Sequence, residues 1–182
     1  MRKLSYEEIL AKRPTLSELS PLDRFPIYCL VENVRSLYNV GSIFRTSDSV
    51  RLNKLYLTGY TGYPPRREIE KTALGATESV PWIHYPDTKK AITELKQNKV
   101  KLVALEHTSE SKPYTEVTYN FPLCIMLGNE VDGLSESLVA KADQSIEIPM
   151  YGLKQSLNVS VAYGVVIFHI LQQFQEVYKR TI

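Results

Sequence analysis

The sequence predicts an α/β domain: a mostly parallel sheet of about six strands with helices on both faces. Three observations predict it. Runs such as Ile27-Tyr-Cys-Leu-Val31 and Leu123-Cys-Ile-Met-Leu127 are apolar at almost every position, as strands buried on both faces must be. Amphipathic segments separate these runs, so strand and helix alternate along the chain. Finally, 182 residues with 43% hydrophobic side chains can bury one core, and 23% charged residues excludes a disordered chain or a coiled coil.

Residues 1–24 are polar and helix-prone, with Tyr6, Ile9 and Leu10 as a short apolar stripe before Pro14 and Pro21; they read as an N-terminal helical arm, followed by one domain over 25–182. Ile27–Val31 is the first strand. Asn39–Val50 is helical, with Val40, Ile43, Phe44 and Val50 turned inward. Leu55–Leu57 is the second strand, and Thr58-Gly59 ends it. The loop Gly59-Tyr-Thr-Gly-Tyr-Pro-Pro65 leads to a helix over Arg66–Thr77 and a weak third strand over Val80–His84. Pro86–Asn98 is amphipathic, with proline in its first turn. Lys101–Leu105, Leu123–Leu127 and Ser145–Ile148 are the remaining strands, and Ser135–Lys141 a short helix between the last two. A long apolar helix over Ser156–Tyr178 closes the domain.

Several chemistries are absent. No apolar run approaches the roughly 18 residues of a membrane span. The opening Met1-Arg-Lys-Leu-Ser-Tyr-Glu-Glu8 has acids where a signal peptide carries its apolar stretch, so a soluble, cytoplasmic protein is expected. The two cysteines, Cys29 and Cys124, lie far apart inside apolar runs and read as buried reduced thiols. The three histidines have no metal spacing, so no metal is expected. A net charge of +2 neither declares nor excludes a nucleic-acid partner. The glycine loops of dinucleotide- and phosphate-binding folds are missing.

Ligands of parallel sheets bind beyond the carboxyl ends of the strands. Three polar clusters sit at such places. In Asn39-Val-Gly-Ser-Ile-Phe-Arg45-Thr-Ser-Asp48, Asn39 can cap the helix and Gly41 can admit a ligand to its first turn, while Arg45 either serves a ligand or pairs with Asp48. In Leu127-Gly-Asn-Glu130-Val-Asp-Gly133-Leu134 a buried strand ends in a polar turn. In Ile148-Pro-Met-Tyr-Gly152 and Gln155-Ser-Leu-Asn158-Val-Ser-Val-Ala162, Ser156 can cap the long helix, and Asn158 would lie inside it as an amide in need of partners.

In this order and spacing the clusters resemble the three motifs of the SpoU/TrmH family of RNA ribose 2′-O-methyltransferases, in the SPOUT superfamily. Asn39, Gly41 and Arg45 meet the first; Gly128, Asn129, Glu130, Gly133 and Leu134 the second; Ile148 to Gly152 and Ser156 to Ala162 the third. The resemblance covers about 27–174. It implies a trefoil knot in the C-terminal third, with S-adenosylmethionine bent into it and held by Leu127, Gly128, Asn129, Ile148, Met150, Ser156 and Leu157.

It further implies methyl transfer to a ribose 2′-hydroxyl of structured RNA, tRNA first and rRNA second. Arg45, Asn39, Glu130, Ser156 and Asn158 would be the catalytic set: Arg45 removes the proton or orients the hydroxyl, Glu130 and Asn158 position Arg45 and the knot loops, and Ser156 touches cofactor or hydroxyl. Arg66, Arg67, Arg35 and Arg13 are the cations available to phosphates. A homodimer is expected, because the closing helix carries two apolar stripes: Leu157, Val161, Val165, Phe168 and Leu171, and Val159, Tyr163, Val166, Ile170 and Phe174. Two other readings stay open, a non-catalytic RNA-binding or assembly factor of the same fold and a SPOUT methyltransferase acting on a base.

Overall fold

The computed structural model describes residues 1–178. Seven parallel strands form one sheet: β1 (Ile27–Glu32), β2 (Lys54–Thr58), β3 (Trp82–Tyr85), β4 (Lys101–Leu105), β5 (Lys112–Pro113), β6 (Leu123–Leu127) and β7 (Gln144–Glu147). Their spatial order is β3-β2-β1-β6-β4-β7-β5. The chain thus runs outward from β1 to β3, returns, and then inserts β6 between β1 and β4, and β7 between β4 and β5. The extra strand is β5. Two residues paired with Ile146 and Glu147 are too few to leave a hydropathy pattern.

Both sheet faces are covered, as the continuous apolar runs require. On one, Ile27, Cys29, Val31, Leu123, Ile125 and Leu127 pack under α3 (Leu37–Ser49), α4 (Arg67–Ala73), α5 (Ala76–Ser79) and α8 (Val159–Tyr178). On the other, Leu30, Tyr56, Leu102, Cys124 and Met126 meet α6 (Thr88–Gln97) and the short α7 (Glu136–Val139). Alternate residues of one strand feed the two layers, which is the period of two that a pleated strand dictates. Both thiols are buried and unbridged, and burial pushes them up, away from reactivity. Among the described residues, no helix is long and apolar enough to cross a membrane.

Several boundaries differ from the sequence reading, each for a local reason. The cap of α3 is Ser36, whose Oγ accepts from Asn39 N–H at 3.3 Å; Asn39 lies within the first turn and its amide is free for other work. Arg66–Thr77 is two helices, because Leu74 and Gly75 take left-handed backbone at φ +50° and +88°. Asp87 caps α6, leaving Pro86 outside it. The closing helix starts at Val159, so Asn158 precedes it.

Gly41 admits no ligand. An added Cβ would overlap Thr72 Oγ1 and the Ile69 carbonyl, so the glycine lets α3 and α4 cross closely. Within 1–24, α1 (Tyr6–Leu10) and α2 (Leu16–Leu19) each start with a capping box and are largely exposed. Arg51 fastens this stretch by donating to the Leu19 and Leu22 carbonyls at 2.7–3.2 Å.

Because the α3–α4 crossing has no room for a methyl group, Gly41→Ala should lower stability by about 1–3 kcal/mol. A urea unfolding midpoint equal to that of the wild type would refute this packing role.

Candidate active site

The carboxyl ends of β4, β6 and β7 lie side by side, and the segments that follow them enclose a cavity of about 330 Å³. Its apolar lining is Leu105, Leu127, Val131, Ile148, Met150, Leu157, Val159 and Ala162. Polar groups at its rim are Glu106, His107, Asn129, Glu130, Asp132, Glu147, Gln155, Ser156 and Asn158. All seven residues expected to hold the cofactor therefore line one cavity: Leu127, Gly128, Asn129, Ile148, Met150, Ser156 and Leu157.

The turn after β6 is built by close backbone approach. Asn129 and Gly133 exchange backbone hydrogen bonds at 2.9 and 3.0 Å, and Gly133 sits at φ +69°. A Cβ on Gly128 would overlap the Gly133–Leu134 backbone, and one on Gly133 would overlap Glu106 Oε2. The buried Asn129 amide is fully used. It donates to the Asn33 carbonyl (2.8 Å) and Tyr60 Oη (2.9 Å), and accepts from Val131 and Asp132 N–H.

Glu130 projects the other way, to the start of α3. Its carboxylate accepts from the Arg35 and Ser36 amides and from Asn39 Nδ2, each at 3.0 Å. Asn39 Oδ1 in turn accepts from Asn158 Nδ2 at 3.1 Å. Asn158 is the cap of α8, its Oδ1 accepting from Ser160 N–H at 2.9 Å. One chain of side chains thus ties together all three polar clusters of the sequence. Partial desolvation opposes ionisation of Glu130, but the two amides and Asn39 outweigh it, and its carboxyl sits below the ordinary glutamate range.

Arg45 is exposed on α3 and outside the cavity lining. It does not pair with Asp48, which accepts from Ser79 Oγ instead. Neither Glu130 nor Asn158 bonds it within the protomer; both bond Asn39. Ser156 is exposed at the rim. Arg13, Arg35, Arg66 and Arg67 are exposed, and none of their guanidinium groups has a protein partner among the described residues. Glu106, His107 and Glu147 also line the cavity, and sequence reading passed over them. Each lies at or just beyond a strand end, so the rule that located the three clusters would have found them too.

The cavity fits S-adenosylmethionine. The backbone of residues 148–157 carries a single hydrogen bond among the described residues, at the Gln155 carbonyl, so open donors and acceptors face an apolar slot suited to an adenine ring. Acidic side chains at the rim suit a sulfonium cation. No group of three or more His, Cys, Asp or Glu among the described residues is placed to hold a metal.

A carboxyl held low contributes stability above its unfolded value of about 4.3 and loses that contribution as pH falls through the folded value. Glu130→Gln should therefore be less stable than wild type near neutrality, with the gap closing below pH ~4.3. Denaturation midpoints from pH 7 to 3 check this, and a gap independent of pH contradicts it.

Comparison with known proteins places these features. Residues 26–168 match the family model of the SpoU rRNA methylase family. The tRNA (guanosine(18)-2′-O)-methyltransferase of Thermus thermophilus is 32% identical over 167 residues, covering 92% of this chain and 85% of that one. The crystal structure of the A. aeolicus TrmH/SpoU tRNA modifying enzyme superposes with a TM-score of 0.80 at 32% identity, over 93% of this chain and 86% of that one. An AdoMet-bound rRNA methyltransferase from Sinorhizobium meliloti superposes with a TM-score of 0.76 at 27% identity, over 85% of this chain and 57% of that one. The parallel sheet with its flanking helices superposes on these structures, and the chain belongs to the SpoU methylase family that includes the TrmH enzymes.

Proposed function

We propose that the protein transfers a methyl group from S-adenosylmethionine to a ribose 2′-hydroxyl of tRNA, in the cytoplasm. The observation that carries this reading is the Glu130–Asn39–Asn158 chain, which joins the three motif segments at the mouth of an apolar cavity. The Thermus relative, matched over most of both chains, is named for methylating the 2′ position of a tRNA guanosine.

The bound cofactor supplies a methyl group on a sulfonium, a good leaving group that needs no metal. The chain must then align the hydroxyl and manage its proton. Leu127, Gly128, Asn129, Ile148, Met150, Ser156 and Leu157 would hold the cofactor, in a segment that the family ties as a trefoil knot.

Arg45 is assigned to the RNA. A guanidinium keeps its proton far above neutral pH and is a poor base, so its role is to fork onto a phosphate or the developing oxyanion. Ser156 contacts cofactor or hydroxyl. Arg13, Arg35, Arg66 and Arg67 neutralise phosphates, Arg13 from the arm formed by residues 1–24.

The active form is a homodimer. Of the two expected stripes, Tyr163, Val166, Ile170 and Phe174 are buried against the sheet, whereas Val161 and Phe168 are 52% and 50% exposed and Val165 38%; Leu157, 38% exposed, precedes α8, and Leu171 packs against the core. A second copy is the simplest cover for such a face. It would also bring the sites together, so that RNA and cofactor contacts are shared.

Nucleoside mapping of tRNA treated with purified protein should show a new 2′-O-methylribose; methylation of a base atom, or none at all, would overturn the assignment. Arg45→Ala should cut single-turnover transfer more than about tenfold, a barrier change above roughly 1.4 kcal/mol, with cofactor binding nearly intact. A smaller loss removes Arg45 from the catalytic set. Light scattering at micromolar concentration should give a dimer for wild type and a monomer for Val165→Glu/Phe168→Glu.

A further inference from the structure

Residues 148–157 form one wall of the cavity and have no regular structure. Among the described residues, the one hydrogen bond that ties their backbone to the rest of the fold joins His107 Nε2 to the Gln155 carbonyl, at 2.9 Å. The other ring nitrogen, Nδ1, lies 3.3 Å from Glu147 Oε2. Glu147 also accepts from Ser111 Oγ, and Ser111 and His107 hold its carboxyl below the ordinary range, so it is an ionised acceptor.

Both partners of the ring are pure acceptors. A neutral imidazole has one N–H and can satisfy only one of them; an imidazolium has two and satisfies both. Either hydrogen bond alone leaves the ring or the wall loose. Both together clamp the wall to the end of β7.

We propose that His107 is a positioning residue: its imidazolium pins the 148–157 wall, and loss of one proton releases that wall and weakens binding of the cofactor. This rests on the reading of the cavity as the S-adenosylmethionine site. The charged groups that line the cavity with His107 are Glu106 on its own loop, Glu147 on β7, and Glu130 and Asp132 on the turn after β6; along the chain, Glu110 and Lys112 follow His107, and Lys154 precedes Gln155. Carboxylates and ammonium groups ordinarily titrate outside the imidazole range. The other histidines are committed elsewhere: His84 bonds the Gly59 carbonyl at 3.1 Å, and His169 packs edge-on against Tyr114 and Tyr119.

The test is calorimetric titration of the full chain with S-adenosylmethionine from pH 5.5 to 8.5, for wild type and for His107→Gln. Glutamine can donate one hydrogen bond to the Gln155 carbonyl and has no proton to lose. The cofactor's own amino group titrates alike in both proteins, so the difference between them is the signal. Wild-type affinity should fall about fivefold more than that of His107→Gln across this range, the worth of about one hydrogen bond. In wild type alone, NMR of labelled histidine should show the His107 titration midpoint rising on cofactor binding, as linkage requires. Parallel pH profiles for the two proteins, or a midpoint that the cofactor leaves in place, would overturn the role of His107 while leaving the cofactor site standing. Absence of binding at every pH would remove the cofactor site, and the role of His107 with it.

Discussion

The arrangement of this site depends on one contact: an ionised carboxylate, Glu130, set against two backbone amides at the start of α3. The amides of Arg35 and Ser36 precede the helix proper and have no helical acceptor. Without Glu130 they would need water, and the turn after β6 would keep only the Asn129 bonds to the Asn33 carbonyl and Tyr60. With it, Asn39 is drawn into register, and through Asn39 the cap of α8. Segments 91 and 119 residues apart along the chain are thereby fixed to one another by two hydrogen bonds. Neutral–neutral bonds of this kind are individually modest, but the charge at one end strengthens the link to which the others are attached.

The same arrangement explains how a parallel sheet can take a nucleoside without a glycine-rich phosphate loop. That loop works by aiming helix-start amides at an anion. Here the turn after β6 satisfies its amides internally, whereas the segment after β7 leaves the regular ladder with its backbone groups open beside an apolar slot. Gly128 is needed because its backbone touches that of Gly133 and Leu134, and Gly133 because its φ is +69° and the Glu106 carboxylate fills the space a Cβ would take. Their role is to build the wall, and the ligand meets the wall they build.

Much of this was legible in the sequence, for physical reasons. Strands β1 and β6 are buried on both faces, and their unbroken apolar runs say so. The three polar clusters stood out because each lies beyond a strand, the first two after such runs and the third after the alternating Ser145-Ile-Glu-Ile148. Strand neighbours were not legible, since hydropathy records burial and not which strand lies alongside; nothing in Leu123–Leu127 says that it inserts between β1 and β4. Asn39 looked like a helix cap because Asn is a good one, yet Ser36 is as good and comes first. Gly41 looked like room for a ligand and is room for a helix. The role of His107 depends on where the Gln155 carbonyl falls, 48 residues away, and no local pattern carries that.

One protomer leaves two features unsatisfied, and they point the same way. Arg45 stands exposed, without a partner among the described residues, outside the cavity it is proposed to serve. The outer face of α8 is apolar from Val161 to Phe168, about two turns, although the helix starts at the cavity rim with Asn158 as its cap. A helix that borders a binding site and exposes an apolar face is an economical place for a subunit contact, because the residues that order the site also order the interface. On the proposed dimer, burial of Val161, Val165 and Phe168 would fix the direction of α8 and hence the position of Asn158. Asn158 holds Asn39, and Asn39 holds Glu130. Association would then organise the same chain of hydrogen bonds that joins the three motifs, and Arg45 would gain its counterpart from pairing of the chains and not from its own helix.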